Sequence, residues 1–257
     1  MHQKVFEERF HYWADKLGYL TWAESSSWGS DRSNQVAARN FLSEWGEIVV
    51  RDRNHPSIIA WTTFNETGWT YLERDIENWN RFAKTQHDRL LVDVYALTRN
   101  LDPTRPVNDT SGHVHVKTDL WTVHNYEQDT DELKEYLTLD KEEGVFRSQP
   151  DKDTAYEGQP YLVDEYGGIK WAPGEVSDDP GESWGYGDNP KNLEEYYERL
   201  ERLTNAILDL SHICGYCYTQ LTDVEQEKNG IYSYDRREKF DMDRISKIFS
   251  RSGNLSD

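Results

Sequence analysis

Residues 51–66 decide the fold: Arg-Asp-Arg-Asn-His-Pro-Ser-Ile-Ile-Ala-Trp-Thr-Thr-Phe-Asn-Glu. His55-Pro56 breaks the chain, because proline disfavours helical dihedrals in the residue before it. Ser57 to Phe64 is then an apolar, β-branched and aromatic run. It predicts a strand buried on both faces, the pattern of a parallel sheet. Asn65-Glu66 follows, where the strand leaves the core. In a (β/α)8 barrel that position is the C-terminal mouth, where reactive side chains sit. Alone, the run reads equally as a buried strand followed by an ordinary polar loop.

Working outward, strand and helix patterns alternate along all 257 residues, which predicts a parallel α/β fold. Residues 3–17 read as a helix with Val5, Phe6, Phe10, Trp13 and Leu17 on its apolar face, closed by Gly18. Tyr19–Ala23 is a short strand ending at Glu24, whose acid suits a substrate or site-shaping role or a solvated loop equally. Residues 35–53 predict a helix carrying Val36, Phe41, Trp45, Ile48 and Val49. Residues 73–101 are mostly helical, with Leu90, Leu91, Val94 and Leu97 inward. Strands follow at Val107–Asp109, Leu120–His124, Tyr161–Gly168 and Ile213–Thr219, with helices at 130–138 and 192–210 and an amphipathic tail near Ile245–Phe249. The segment 170–190 is too long and irregular for a simple connection, and its Trp171 and Trp184 suit a cleft wall.

Composition narrows the function. Aromatics reach 13%, with 10 Trp and 16 Tyr, and compensate for a hydrophobic content of 36%. Aromatics in a cleft also suit the C–H faces of sugars. Acids outnumber bases 48 to 29, a net charge of −19 that repels nucleic acid and disfavours strongly anionic substrates. No apolar run reaches membrane-span length, so a membrane is not an expected partner, and self-association into a homo-oligomer stays open. No secretory leader appears in residues 1–25, which read as mid-domain sequence; compartment is left open, with a slight lean to cytoplasm.

Cys214-Gly-Tyr-Cys217 has redox spacing but lies in a strand-like run, where odd spacing sends the thiols to opposite faces. Two buried cysteines are the expectation. His113, His115 and His124 fall within twelve residues. Zinc, sugar hydroxyls and loop packing all remain readings of them, though no obvious acid or cysteine completes a ligand set. No metal or cofactor is expected.

The run at 51–66 resembles the acid/base segment of family 2 glycoside hydrolases, the family of β-galactosidases, β-mannosidases and β-glucuronidases. That family carries Arg-Asp-x-Asn-His-Pro-Ser-Ile, a strand, then Asn-Glu. Phe10–Glu24 is similar to the helix and third strand of its barrel, and Asp102-Pro-Thr-Arg-Pro-Val107 is also typical. Asp164-Glu-Tyr-Gly-Gly168 resembles its nucleophile segment. Tyr216–Glu227, Asn229–Ile231 and Tyr234–Arg236 resemble the eighth strand and its loop. The resemblance implies a (β/α)8 TIM barrel and a retaining β-glycosidase. Glu66 would be the acid/base, Glu165 the nucleophile, Asn65 a partner of the sugar 2-hydroxyl and Tyr126 the group that orients the nucleophile. His124, Glu24, Trp171, Trp184 and Gln220 join them as expected substrate contacts. Retaining enzymes need their carboxyls about 5–5.5 Å apart.

The family's first two barrel strands and preceding β-sandwich domains have no counterpart here, so the expectation is one partial barrel domain over residues 1–257, holding strands three to eight. β-Glucuronidases usually carry Asn-x-Lys near the last loop; Glu227-Lys228-Asn229 stands here instead. With the acidic field, this favours a β-galactosidase-like exo-enzyme acting on carbohydrate. A non-catalytic carbohydrate-binding remnant and a redox or metal protein are the rival readings.

Overall fold

The computed structural model describes residues 2–26, 34–67, 81–140, 142, 144–173 and 183–254. The expected helical segment 73–80 and the middle of the 170–190 loop lie outside the described residues, as do Ser27 and Trp28. In order, the elements are α1 (Glu8–Leu17), β1 (Thr21–Glu24), α2 (Gln35–Asp52), β2 (Ile58–Thr62), α3 (Arg81–Leu101), β3 (Val107–Asn108), β4 (Trp121–Asn125), α4 (Thr130–Leu137), β5 (Tyr161–Gly167), α5 (Leu193–Leu208), β6 (Ile213–Thr219) and α6 (Met242–Phe249). The strands form two three-stranded sheets, β1-β2-β3 and β4-β5-β6. β2 runs parallel to both β1 and β3, and β5 runs parallel to β6. In each sheet the spatial order follows the chain order. Such winding in one direction, with helices as crossovers, is the local connectivity of a (β/α) barrel. No described helix is long and apolar enough to cross a membrane.

Contacts divide the chain into two compact units, residues 1–122 with 147–160, and residues 123–146 with 161–257. In the first, helices α2 and α3 cover the sheet. Trp45, Val49, Ile58, Trp61, Phe64, Leu91 and Val94 fill that core. Its indole N–H groups are satisfied, Trp45 donating to Thr98 Oγ1 at 2.7 Å and Trp61 to Asp102 Oδ2 at 2.9 Å. Burial along β2 is incomplete: Ile59 is 40% exposed, while Ile58, Ala60, Trp61 and Thr62, which between them cover both faces, are buried.

The turn that carries His55-Pro56 is fastened from two directions. Arg105 donates to the carbonyls of Arg53, His55 and Ile58 and to Asp102 Oδ2. Asp15, at the end of α1, accepts from the Ser57 N–H at 2.9 Å and from His55 Nδ1 at 2.7 Å. This fastening corrects the expected face of α1. His11 and Ala14 are buried, while Trp13 is 49% and Leu17 75% exposed. The helix is turned by where Asp15 must reach, not by its largest side chains. It also starts at Glu8 rather than residue 3, since Glu7 is an extended cap and Gln3 gives its N–H to Glu24. Gly18, with φ of 68°, ends it as expected.

In the second unit, α5 buries Tyr196, Tyr197, Leu200, Leu203 and Ile207. Tyr196 stacks on Phe240 with centroids 4.2 Å apart. Asn192 and Asp241 cap α5 and α6 by accepting N–H groups of the first turn. The cysteines depart from expectation: both are exposed and unlinked. β6 is the outer strand of its described sheet, so its side chains lack a neighbouring strand to cover them.

Candidate active site

Glu66 follows β2 on a main-chain ladder that outlasts the strand. The Thr63 N–H donates to the Asn108 carbonyl at 3.1 Å, Ser111 N–H to Phe64 at 2.8 Å and Glu66 N–H to Ser111 at 3.0 Å. Asn65 pairs with Ser111 in a parallel bridge and is buried, while Glu66 is half-buried. Glu66 has φ of 45°, a left-handed conformation uncommon outside glycine. Surrounding structure must impose such a conformation, which costs on the order of 1–3 kcal/mol. The next residue shows how. His113 Nδ1 lies 2.6 Å from the Thr67 carbonyl oxygen, which only accepts, so Nδ1 carries the proton. Gln149 Nε2 sits 3.3 Å from the other ring nitrogen.

His115 is spoken for as well. Its Nδ1 meets Asp109 Oδ1 at 2.8 Å and its Nε2 the Thr122 carbonyl at 3.0 Å. Burial works against its charge, but the hydrogen bond and charge of Asp109, the Thr122 carbonyl and the Asp153 charge together outweigh it and raise its pKa. Of the three readings of this His-x-His, loop packing is what the contacts support. Glu24 is 6% exposed rather than solvated, and its Oε1 accepts the Gln3 N–H at 2.7 Å.

Glu165 lies near the end of β5 in the second unit and is held by side chains. The Tyr126 hydroxyl donates to Glu165 Oε2 and lies 3.1 Å from Thr219 Oγ1. His124 bridges two acids, with Nδ1 3.4 Å from Glu165 Oε2 and Nε2 3.5 Å from Asp164 Oδ1. Burial first, then the Glu165 charge, pushes the Tyr126 phenol far above its ordinary pKa, so it stays a donor. A carboxylate receiving such a bond is oriented, and a donated hydrogen bond favours the ionised form that a nucleophile needs.

Gly167-Gly168 is required here by more than chain freedom. A Cβ on Gly167 would lie 2.6 Å from the Tyr218 ring, and one on Gly168 2.4 Å from the Tyr186 ring. The aromatic rings close directly onto the backbone beside the nucleophile candidate.

The other expected contacts separate. Gln220 donates to Asn229 Oδ1 at 2.9 Å. Trp184 is 41% exposed and meets Tyr186 edge-on with centroids 5.9 Å apart. Trp171 instead packs toward Tyr196 and Phe240, at 6.0 and 6.4 Å. Thr219 and Tyr186 were not anticipated. Thr219 sits at the end of a strand already identified, a usable signal; Tyr186, between Gly185 and Gly187, becomes legible only through its contacts.

The model of a known family, glycosyl hydrolases family 2, TIM barrel domain, matches residues 11–254. A β-galactosidase of Vibrio vulnificus is 33% identical over 75 residues, 29% of this chain and 6% of that protein. A β-galactosidase of Photobacterium profundum is 32% identical over 75 residues, again 6% of its length. Among solved structures, a β-D-glucuronidase of Dictyoglomus thermophilum superposes with a TM-score of 0.70 at 19% identity, covering 100% of this chain and 45% of that one. A family 2 β-galacturonidase of Eisenbergiella tayi gives 0.63 at 20% identity, covering 96% and 43%. The chain thus spans less than half the length of these relatives, and at such identities the superpositions show the TIM-barrel fold. With the family model matched over nearly its whole length, the chain belongs to glycosyl hydrolase family 2 through that family's TIM barrel domain.

Proposed function

We propose that residues 1–257 act as one catalytic domain of a retaining exo-β-glycosidase. The observation that carries this reading is the Tyr126 hydroxyl donating to Glu165 at the end of β5. A carboxylate at a strand's C-terminal end, oriented by a hydrogen bond from a buried phenol, is equipped for attack on an anomeric carbon. Family membership and the Asn65-Glu66 motif supply the second acid.

In the first step Glu66 protonates the glycosidic oxygen while a Glu165 oxygen bonds to the anomeric carbon and the aglycone leaves. In the second, Glu66, now a carboxylate, takes a proton from water. The resulting hydroxide character attacks the same carbon and releases Glu165. Asn65 contacts the sugar 2-hydroxyl, a bond that strengthens in the transition state.

A β-galactoside is the substrate we favour. The net charge of −19 and Glu227-Lys228-Asn229, in place of the Asn-x-Lys usual in β-glucuronidases, support it. A glucuronide is the second reading, because solved structures of this fold include β-glucuronidases.

The test is hydrolysis of nitrophenyl β-galactoside, β-glucuronide and β-mannoside by the full-length protein. Glu66→Gln and Glu165→Gln should each lose turnover, and azide should restore Glu165→Ala by giving the α-glycosyl azide. Sugar-dependent tryptophan fluorescence without hydrolysis would replace catalysis by binding alone.

A further inference from the structure

We propose that Tyr186 is a positioning residue for the nucleophile, its ring confining Tyr126 to the rotamer that places the phenol hydroxyl on Glu165. The inference rests on the reading of Glu165 above and adds a residue that neither the sequence motifs nor the family resemblance singled out.

The geometry is close and specific. The rings of Tyr126 and Tyr186 lie face to face, centroids 3.6 Å apart and planes 4° from parallel. Aromatic pairs prefer offset or edge-on contact over a face-to-face arrangement. The contact therefore acts less by attraction than by occupying the space into which the Tyr126 ring would otherwise swing. A phenol fixed only at its hydroxyl remains free to change rotamer; a ring laid along its face removes that freedom.

Tyr186 can do this because its own backbone is tied down. Its N–H donates to the Gly168 carbonyl at 2.9 Å, and it pairs with Ile169 in a parallel bridge. Two residues earlier, the Trp184 N–H donates to Gln226 at 2.8 Å and its carbonyl accepts from Lys228 at 2.9 Å. The buried Lys170 ammonium donates to the Ser183 carbonyl at 3.0 Å. The strap 183–187 is thus anchored on both sides.

Two glycines make room for it. A Cβ on Gly168 would stand 2.4 Å from the Tyr186 ring and 3.2 Å from the Tyr126 ring. A Cβ on Gly187 would stand 2.4 Å from Gln128 Cγ. Gln128 in turn donates to the carbonyls of Tyr126 and Gly167, at 2.9 and 2.6 Å. Backbone and ring of Tyr126 are therefore both held by groups that converge on the Glu165 strand end.

The experiment is a double-mutant cycle on the full-length protein. Tyr186→Phe keeps the ring and should leave kcat within about threefold. Tyr186→Ala should lower kcat by about 10–100-fold with little change in KM, the scale expected when a reacting group is misplaced by an ångström or less. In a Tyr126→Phe background the same Tyr186→Ala change should add less than about threefold, because the hydroxyl being positioned is already gone. Equal losses in both backgrounds, or a loss confined to KM, overturn the proposal. A crystal structure of Tyr186→Ala reads it independently of turnover. We expect the Tyr126 hydroxyl to leave hydrogen-bond distance of Glu165; an unmoved hydroxyl sinks the idea. If Tyr186→Ala does not fold, Gly168→Ala displaces the ring by the opposite route and should show the same dependence on Tyr126. Failure of the nucleophile assignment is seen separately, as turnover surviving in Glu165→Gln.

Discussion

The two glutamates at strand ends are supported in different ways. Around Glu66 the first unit spends its main chain: a ladder to Ser111, a left-handed φ of 45° and a histidine clamped on the next carbonyl. Around Glu165 the second unit spends side chains: a phenol and an imidazole beside the carboxylate, with a threonine hydroxyl against the phenol. The difference suits the proposed roles. A nucleophile must stay ionised, so donors aimed at its oxygens help it directly. An acid/base must gain and lose a proton in each turnover, and the main-chain ties of Glu66 hold its backbone in either protonation state.

The largest test of this contrast is Tyr126→Phe. It removes a donor to the nucleophile and should lower kcat by about 100-fold, the scale for deleting one preorganised donor. The loss should hold for every leaving group, since the attack itself is weakened. A loss that disappears with activated aglycones would assign Tyr126 to the other carboxyl.

Next in size is a stability comparison between the units. Each has an ion pair between a buried acid and a half-buried base: Asp102 with Arg105, 2.7 Å apart, and Asp223 with Lys239, 2.8 Å apart. Arg105 also holds three main-chain carbonyls, so Arg105→Ala should destabilise more, by about 3 kcal/mol, and Lys239→Ala by about 2 kcal/mol. Denaturant titration gives the magnitudes, and hydrogen exchange shows where protection is lost. We expect the first variant to open the unit of residues 1–122 and the second to leave it intact.

His113→Ala should have a more selective effect. Releasing the Thr67 carbonyl loosens Glu66, so hydrolysis should slow about tenfold for aglycones that need protonation and hardly at all for a dinitrophenyl glycoside. Uniform slowing across leaving groups would make His113 a merely structural residue.

The smallest expected effect concerns pH. Burial alone would raise the Asp102 pKa, but hydrogen bonds from Thr104, Trp61 and Arg105 hold it at about 2. A depressed folded-state pKa means that the stabilisation is complete above the unfolded value near 4 and is lost as pH falls toward 2. Asp102→Asn should flatten the acid limb of the stability curve in that window by at most about 2 kcal/mol. An unchanged limb would show that Asp102 titrates normally.

Much of the fold was legible early. Each of the six expected strands is present within a few residues, because an apolar β-branched run bounded by Gly, Pro or polar residues leaves few alternatives. Helix α5 likewise buries its expected Tyr196, Tyr197, Leu200, Leu203 and Ile207. Errors fell where burial depended on a partner. Trp13 and Leu17 face outward because Asp15 must reach His55 and Ser57. Cys214 and Cys217 are exposed because no described strand lies beyond β6.

By itself, then, the sequence determined the strand ends, the two acids placed on them and the family to which they belong, since these depend on residue order along a single segment. The tertiary structure alone decided what surrounds each acid: Ser111 ties the Glu66 main chain and His113 the Thr67 carbonyl from about fifty positions away, while the Tyr126 hydroxyl donates to Glu165 and Tyr186 stacks on the Tyr126 ring. Periodicity says that a residue has an inside and an outside. Only packing says which neighbour waits there, because the energy of a buried polar contact belongs to the pair and not to either residue.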